Sequence, residues 1–189
     1  MKRSLFLLAS ALVFTVVNVQ AQKFPDLDAS PMDASYFPDG QPLDEVFQRE
    51  VRELKIKLVY SRPQLKGRNM IGGKAAPLDK VWRLGANEAP EITFYEDVNF
   101  GSKAVKAGTY VIFAVPGEKE WEFILSSKLN TWGNYTTSED KYVARAKTNV
   151  ISSPETPIEV FSMMFKEVEG GAHLVLGWEN TIVELPIKF

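Results

Sequence analysis

Three apolar–polar alternations follow one another in the last third of the chain, with only short turn-bearing stretches between them. Over 157–166, 172–178 and 181–187, Phe161, Met163 and Phe165, then Leu174, Leu176 and Trp178, then Val183, Leu185 and Ile187 fall at every second position. Successive side chains of a strand point to opposite faces, so each run carries one apolar and one polar face. Gly170-Gly171 and Glu179-Asn180 are tight-turn pairs joining the runs. The result is an antiparallel sheet whose apolar face must pack on another layer.

Upstream the same period recurs. Leu54, Ile56, Leu58 and Tyr60 alternate with polar neighbours until Arg62-Pro63 stops the strand, and 91–95, 109–115 and 121–126 are rich in Thr, Tyr, Val, Ile and Phe. Pro116-Gly117-Glu118-Lys119 predicts a hairpin turn between the last two. Only 44–54 offers helical spacing. Residues 22–48, with Pro25, Pro31, Pro38, Pro42 and turn-forming aspartates, read as an irregular N-terminal arm. The expected fold is all-β, a single antiparallel β-sandwich of jelly-roll-like shape over 49–189. A membrane-spanning barrel fits less well, because the strands fall short of the roughly 9–11 residues needed to span and Pro154, Pro157 and Pro186 sit at or in them.

Residues 1–21 stand apart. Met1-Lys2-Arg3 precedes an apolar run over 5–17, and Val19-Gln20-Ala21 has the small-x-small form of a signal-peptidase site. Cleavage near Ala21 would place the mature chain in the periplasm or outside the cell, with no membrane span left in it. No cysteine exists to carry a lipid anchor, a disulfide or a thiolate metal site, and one histidine leaves little for His-based catalysis. Without Lys2 and Arg3 the mature chain has 20 basic against 24 acidic side chains, which argues against nucleic-acid binding.

That charge is unevenly spread. From Lys55 to Arg83 eight basic residues face one acid, Asp79, a net +7 set in a body that carries −11. Solvated faces explain most such runs, but a guanidinium fork also suits carboxylate, phosphate or sulfate. The candidate ligand-binding set is Arg62, Arg68, Trp82, Arg83, Asn87 and Glu88, which offers an aromatic platform, forked cations, an amide and a carboxylate. The plainer alternative makes Trp82 core, Gly85-Ala86-Asn87 a turn, and Arg83 with Glu88 an ion pair. Catalytic and metal patterns are weak. Ser61 has no histidine near it in sequence, and His173 falls on the polar side of its strand. Glu88 with Glu91 or Glu179 is one pairing among many, and Asp26, Asp28 and Asp33 lack the glycine and terminal glutamate of a calcium loop. No metal and no cofactor is expected.

Longer motifs resemble a family. Leu27-Asp28-Ala29-Ser30-Pro31-Met32-Asp33, Tyr60-Ser61-Arg62-Pro63, Lys66-Gly67-Arg68, Val81-Trp82-Arg83-Leu84-Gly85-Ala86-Asn87-Glu88, Ala107-Gly108-Thr109-Tyr110 and Leu176-Gly177-Trp178-Glu179-Asn180-Thr181 are similar to domain of unknown function 2911, found in secreted proteins of Gram-negative bacteria. Leu84 departs from the usual Thr and Ser126 from a common Asn. The resemblance implies no activity, substrate or cofactor. The leading expectation is therefore a secreted protein binding a small anionic or carbohydrate ligand. Two alternatives stay open: a carbohydrate-active hydrolase or lyase using Glu88, and an envelope accessory protein binding another protein along a sheet edge.

Overall fold

The computed structural model describes residues 23–189 apart from 41, 42, 48, 50, 51 and 153, so the signal sequence expected over 1–21 lies outside the described residues. Eleven strands dominate: β1 (Met32–Phe37), β2 (Ile56–Ser61), β3 (Glu91–Phe94), β4 (Val98–Phe100), β5 (Lys103–Val105), β6 (Gly108–Val115), β7 (Glu120–Ser126), β8 (Tyr142–Ser152), β9 (Ile158–Val168), β10 (Gly171–Glu179) and β11 (Thr181–Lys188). A single helical turn, α1 (Leu43–Val46), and a 3₁₀ turn at Glu139–Lys141 complete the elements among the described residues. Among the described residues the helical spacing of 44–54 yields only α1, and Ile56 opens a strand.

All pairings between these strands are antiparallel, in the order β1-β2-β3-β6-β7-β8-β11-β10-β9, with β4 and β5 added beside β11. The two ends of this order meet. Pro63 accepts the Phe161 amide at 2.9 Å and Leu65 donates to Glu159 at 2.9 Å, so the chain after β2 runs along the free edge of β9. The all-β antiparallel expectation holds. The sandwich and jelly-roll detail does not: one continuous sheet curls until its edges touch, giving a nearly closed, barrel-like wall rather than two separate layers. Closure leaves little edge unpaired.

The seam is finished by side chains. Tyr60, 3% exposed, uses its hydroxyl to accept from the Met163 amide and donate to the Met163 carbonyl, both at 3.0 Å, and Ser35 adds a second donor to that carbonyl at 2.6 Å. Residues 22–48 are therefore not wholly irregular, because β1 pairs with β2 from Met32↔Ser61 to Phe37↔Ile56 and supplies Ser35. β8 is another strand not expected from sequence, as are the short β4 and β5. The fully buried residues of β8 are the small Ala144 and Ala146, which give a faint apolar signal.

Phe161, Met163, Phe165, Leu174, Leu176, Trp178, Val183, Leu185 and Ile187 all lie in the main core, as their alternation requires. On the outer face of the wall Arg145 pairs with Glu122, Lys147 with Glu120 and Lys166 with Glu184. Apolar inside and charged outside is the reverse of a lipid-facing barrel. Among the described residues no helix is long and apolar enough to cross a membrane.

Candidate functional site

The site begins where the segment after Pro77 crosses the end of the wall. Trp82 pairs through its backbone with Ala114 at 2.7 and 3.0 Å, so neighbouring side chains take opposite sides. Trp82 and Leu84 go inward and Val81 packs on a small outer cluster of Ala89, Val111, Phe113 and Ile124. Trp82 is no ligand platform. It is 2% exposed, stacked on Trp178 at 5.7 Å and edge-on to Trp121 at 6.1 Å and Phe161 at 5.6 Å.

Beyond Trp82 the chain reverses sharply. Leu84 (φ 58°), Gly85 (φ 135°) and Asn87 (φ 58°) all take positive φ, which costs a non-glycine residue about 1–2 kcal/mol. At Gly85 the space is as limiting as the φ, because a Cβ there would stand 3.1 Å from the Ser61 carbonyl. The reversal brings 87–89 beside 131–133. Ala89 donates to Thr131 at 2.9 Å and Gly133 donates to Asn87 at 2.8 Å, bracketing the bridge between Glu88 and Trp132. Residues bracketed in this way form the close, non-hydrogen-bonded type of antiparallel pair, so Glu88 and Trp132 project side by side from one face. Trp132 is 60% exposed, and Tyr135 beside it is also exposed.

The turn carrying Trp132 is anchored from below. Thr131 is buried and donates to the Lys128 carbonyl at 3.1 Å; Ser126, also buried, accepts the Lys128 amide at 3.2 Å. Glu91 accepts the Asn130 amide at 2.9 Å, and Asn134 donates to the Val81 carbonyl. Of the two departures from the family pattern, Leu84 is sealed in the core and Ser126 supports this turn.

Three clefts share residues here and form one groove. A cleft of about 190 Å³ is lined by Asp28, Ser61, Asn87, Glu88 and Trp132 among others. A smaller one of about 80 Å³ lies between Arg83, Asn87, Trp132 and Tyr135, and a third of about 140 Å³ runs past Glu88 to Glu91. Arg83 makes no hydrogen bond or ion pair with the described residues, and its Nε is buried without a partner. The Arg83–Glu88 ion pair that their spacing suggests does not form.

The other two arginines are occupied elsewhere. Arg62 donates to Asp33 and Ser162 at 2.8 Å each and to the Phe161 carbonyl at 3.3 Å, so it belongs to the seam. Arg68 donates to the Leu65 and Gln64 carbonyls at 2.9 Å. Neither lines the groove. The structure thus gathers Arg83, Asn87 and Glu88 from the sequence-derived set and leaves out Arg62, Arg68 and Trp82. Sequence reasoning missed Trp132, Tyr135, Ser61 and Asp28 as neighbours of that trio. The only local signal was an aromatic in a turn-rich stretch between strands.

Catalytic geometry is thin. Glu179 spends both carboxylate oxygens on the Met70 and Ile71 amides at 3.0 and 2.8 Å, which removes it as a partner for Glu88. His173 lines none of the three clefts and pairs through Nδ1 with Glu184 at 2.8 Å on the outer face. The His173 and Lys166 contacts hold the Glu184 carboxyl below its ordinary value, against the opposing effect of desolvation. A larger cleft of about 350 Å³ holds Arg145, but that cation is already bound to Glu122 at 2.7 Å.

The class is therefore an all-β, barrel-like protein with a polar and aromatic groove at one end of its wall. The profile of one family, described as a protein of unknown function (DUF2911), matches residues 41–187, and the chain belongs to that family. Comparison with curated proteins and with solved structures yields no match.

Proposed function

We propose that this is a secreted, ligand-binding protein whose groove holds a small carbohydrate or anionic ligand, in the periplasm or outside the cell after cleavage near Ala21. The observation that carries the reading is the exposed Trp132 ring fixed beside Glu88, with Asn87 and the unpartnered Arg83 on its flank. A flat aromatic covers the apolar face of a sugar ring, while carboxylate, amide and guanidinium meet its hydroxyls or an acidic substituent. An exposed tryptophan held by two backbone hydrogen bonds binds with little ordering cost, because its loop is already in place. Leu84, Asn87 and Asn130, at or next to the groove, take positive φ, in keeping with strain held at a functional position.

Titration calorimetry of the protein against neutral, amino and acidic monosaccharides tests this. Trp132→Ala should weaken any binding at least tenfold, about 1.4 kcal/mol, with an unchanged melting temperature. Binding that survives the substitution would place the ligand elsewhere.

A further inference from the structure

The groove holds unpaired charge of both signs, kept apart rather than joined. Among the described residues, Arg83 at one end has no carboxylate partner, and its buried Nε finds no acceptor. At the other end, again among the described residues, Glu88 has no basic partner and Asp28 uses only one oxygen, on the Ser30 amide at 2.7 Å. The remaining nearby acids are engaged, Asp33 by Arg62 and Glu91 by the Asn130 amide. Between the two ends stand Trp132 and Asn87, which line both clefts.

A second observation marks the acidic end. Ser61 closes β2, is 2% exposed, and lines the same cleft as Asp28 and Glu88. Among the described residues its hydroxyl has no hydrogen-bond partner, yet the oxygen is not sealed from solvent, so it is open to a group seated in the cleft. The Gly85 backbone passes close to the Ser61 carbonyl, since a Cβ at Gly85 would stand 3.1 Å from it.

Resting on the carbohydrate reading above, we propose that the ligand is an amino sugar that also carries a carboxylate. Its carboxylate lies on Arg83, its ring over Trp132, and its ammonium between Glu88 and Asp28, with the Ser61 hydroxyl accepting from that ammonium. A ligand with only one charge would leave the other end of the groove unmatched. The two clefts are of about 80 and 190 Å³, so the carboxylate belongs in the smaller and the ring with its ammonium in the larger.

The test is calorimetry at low salt with glucose, glucosamine, glucuronic acid and muramic acid, which bear neither charge, the ammonium, the carboxylate, and both. Muramic acid should bind tightest, with each charge adding about tenfold over glucose. Arg83→Gln should erase the gain from the carboxylate and keep that from the amine; Glu88→Gln should do the opposite. Thermal melts of both variants verify folding, and Asp28→Asn, on the exposed arm, provides a second route to the amine end. If glucosamine binds no better than glucose, or Glu88→Gln and Asp28→Asn leave its gain intact, the two-charge proposal is overturned while sugar binding at Trp132 stands. If alanylalanine, a zwitterion without a sugar ring, matches muramic acid, the sugar assignment is overturned. If none of the four sugars binds, both readings fall.

Discussion

Replacing Tyr60 by Phe removes one oxygen from the seam and leaves the ring. The edge-on contact with Phe161, at 6.0 Å between ring centres, persists, so packing changes little. What changes is Met163, which turns both its amide and its carbonyl away from β10 toward Tyr60. The carbonyl keeps the Ser35 hydroxyl at 2.6 Å, whereas the amide is left with no acceptor at a buried position. An orphaned buried donor costs about 1–3 kcal/mol. At this chain length that lowers the melting temperature by roughly 2–12 °C. Urea unfolding followed by the fluorescence of Trp82, Trp121 and Trp178 reads the change as a lower midpoint with an unchanged slope. Adding Ser35→Ala strips the carbonyl as well, so the double variant should lose more than the sum of the two single losses. A Tyr60→Phe midpoint indistinguishable from wild type would mean that water reaches the β9 edge, and the side-chain closure of the wall would be refuted.

Three further outcomes follow from the same contacts. Trp82→Ala should cost about 3–5 kcal/mol in urea unfolding and Trp132→Ala under about 0.5 kcal/mol; the reverse order would misplace core and groove. Glu184 is held below its ordinary value near 4.5, so its pairing with His173 and Lys166 contributes stability above that pH and loses it as pH falls through the folded-state value. The stability gap between wild type and Glu184→Gln should accordingly shrink by about 0.2–1 kcal/mol from pH 6 to pH 3 in midpoint measurements, and a gap constant with pH would contradict the pairing. A Cβ at Gly171 would lie 2.2 Å from the Ile187 carbonyl, so Gly171→Ala should cost over about 2 kcal/mol, against about 1 kcal/mol for Gly67→Ala, where only the φ of 71° is at issue; equal losses would show that β10 and β11 can part freely.

The strands legible in the sequence are those whose two faces meet different surroundings. In β9, β10 and β11 the inward positions other than Ala172 are nearly all large and apolar, so period two is plain in a short window. β1 escaped because its residues Met32–Phe37 sit between Pro31 and Pro38 and include Asp33, and because it is held by backbone pairing with β2 rather than by an apolar face. β8 escaped because Ala144 and Ala146 fill its inward places, a size set by what stands opposite them inside the wall. Whether the sheet would split into layers or curl into a wall depends on which edges meet, and Tyr60 and Met163 are 103 residues apart.

For the groove, local sequence determined that Arg83, Asn87 and Glu88 travel together, because they lie within one reversal of the chain. Only the tertiary structure decided which charges stay free. Arg62 found Asp33 and Ser162, Arg68 found two backbone carbonyls, and Arg83 found neither, an outcome set by distances across the fold that no window of sequence contains. The two tryptophans differ for the same reason. Trp82 faces inward because its backbone pairs with β6, and Trp132 faces solvent because its backbone pairs with the segment at Glu88; an indole suits either place, and hydrogen bonds between distant segments determine which.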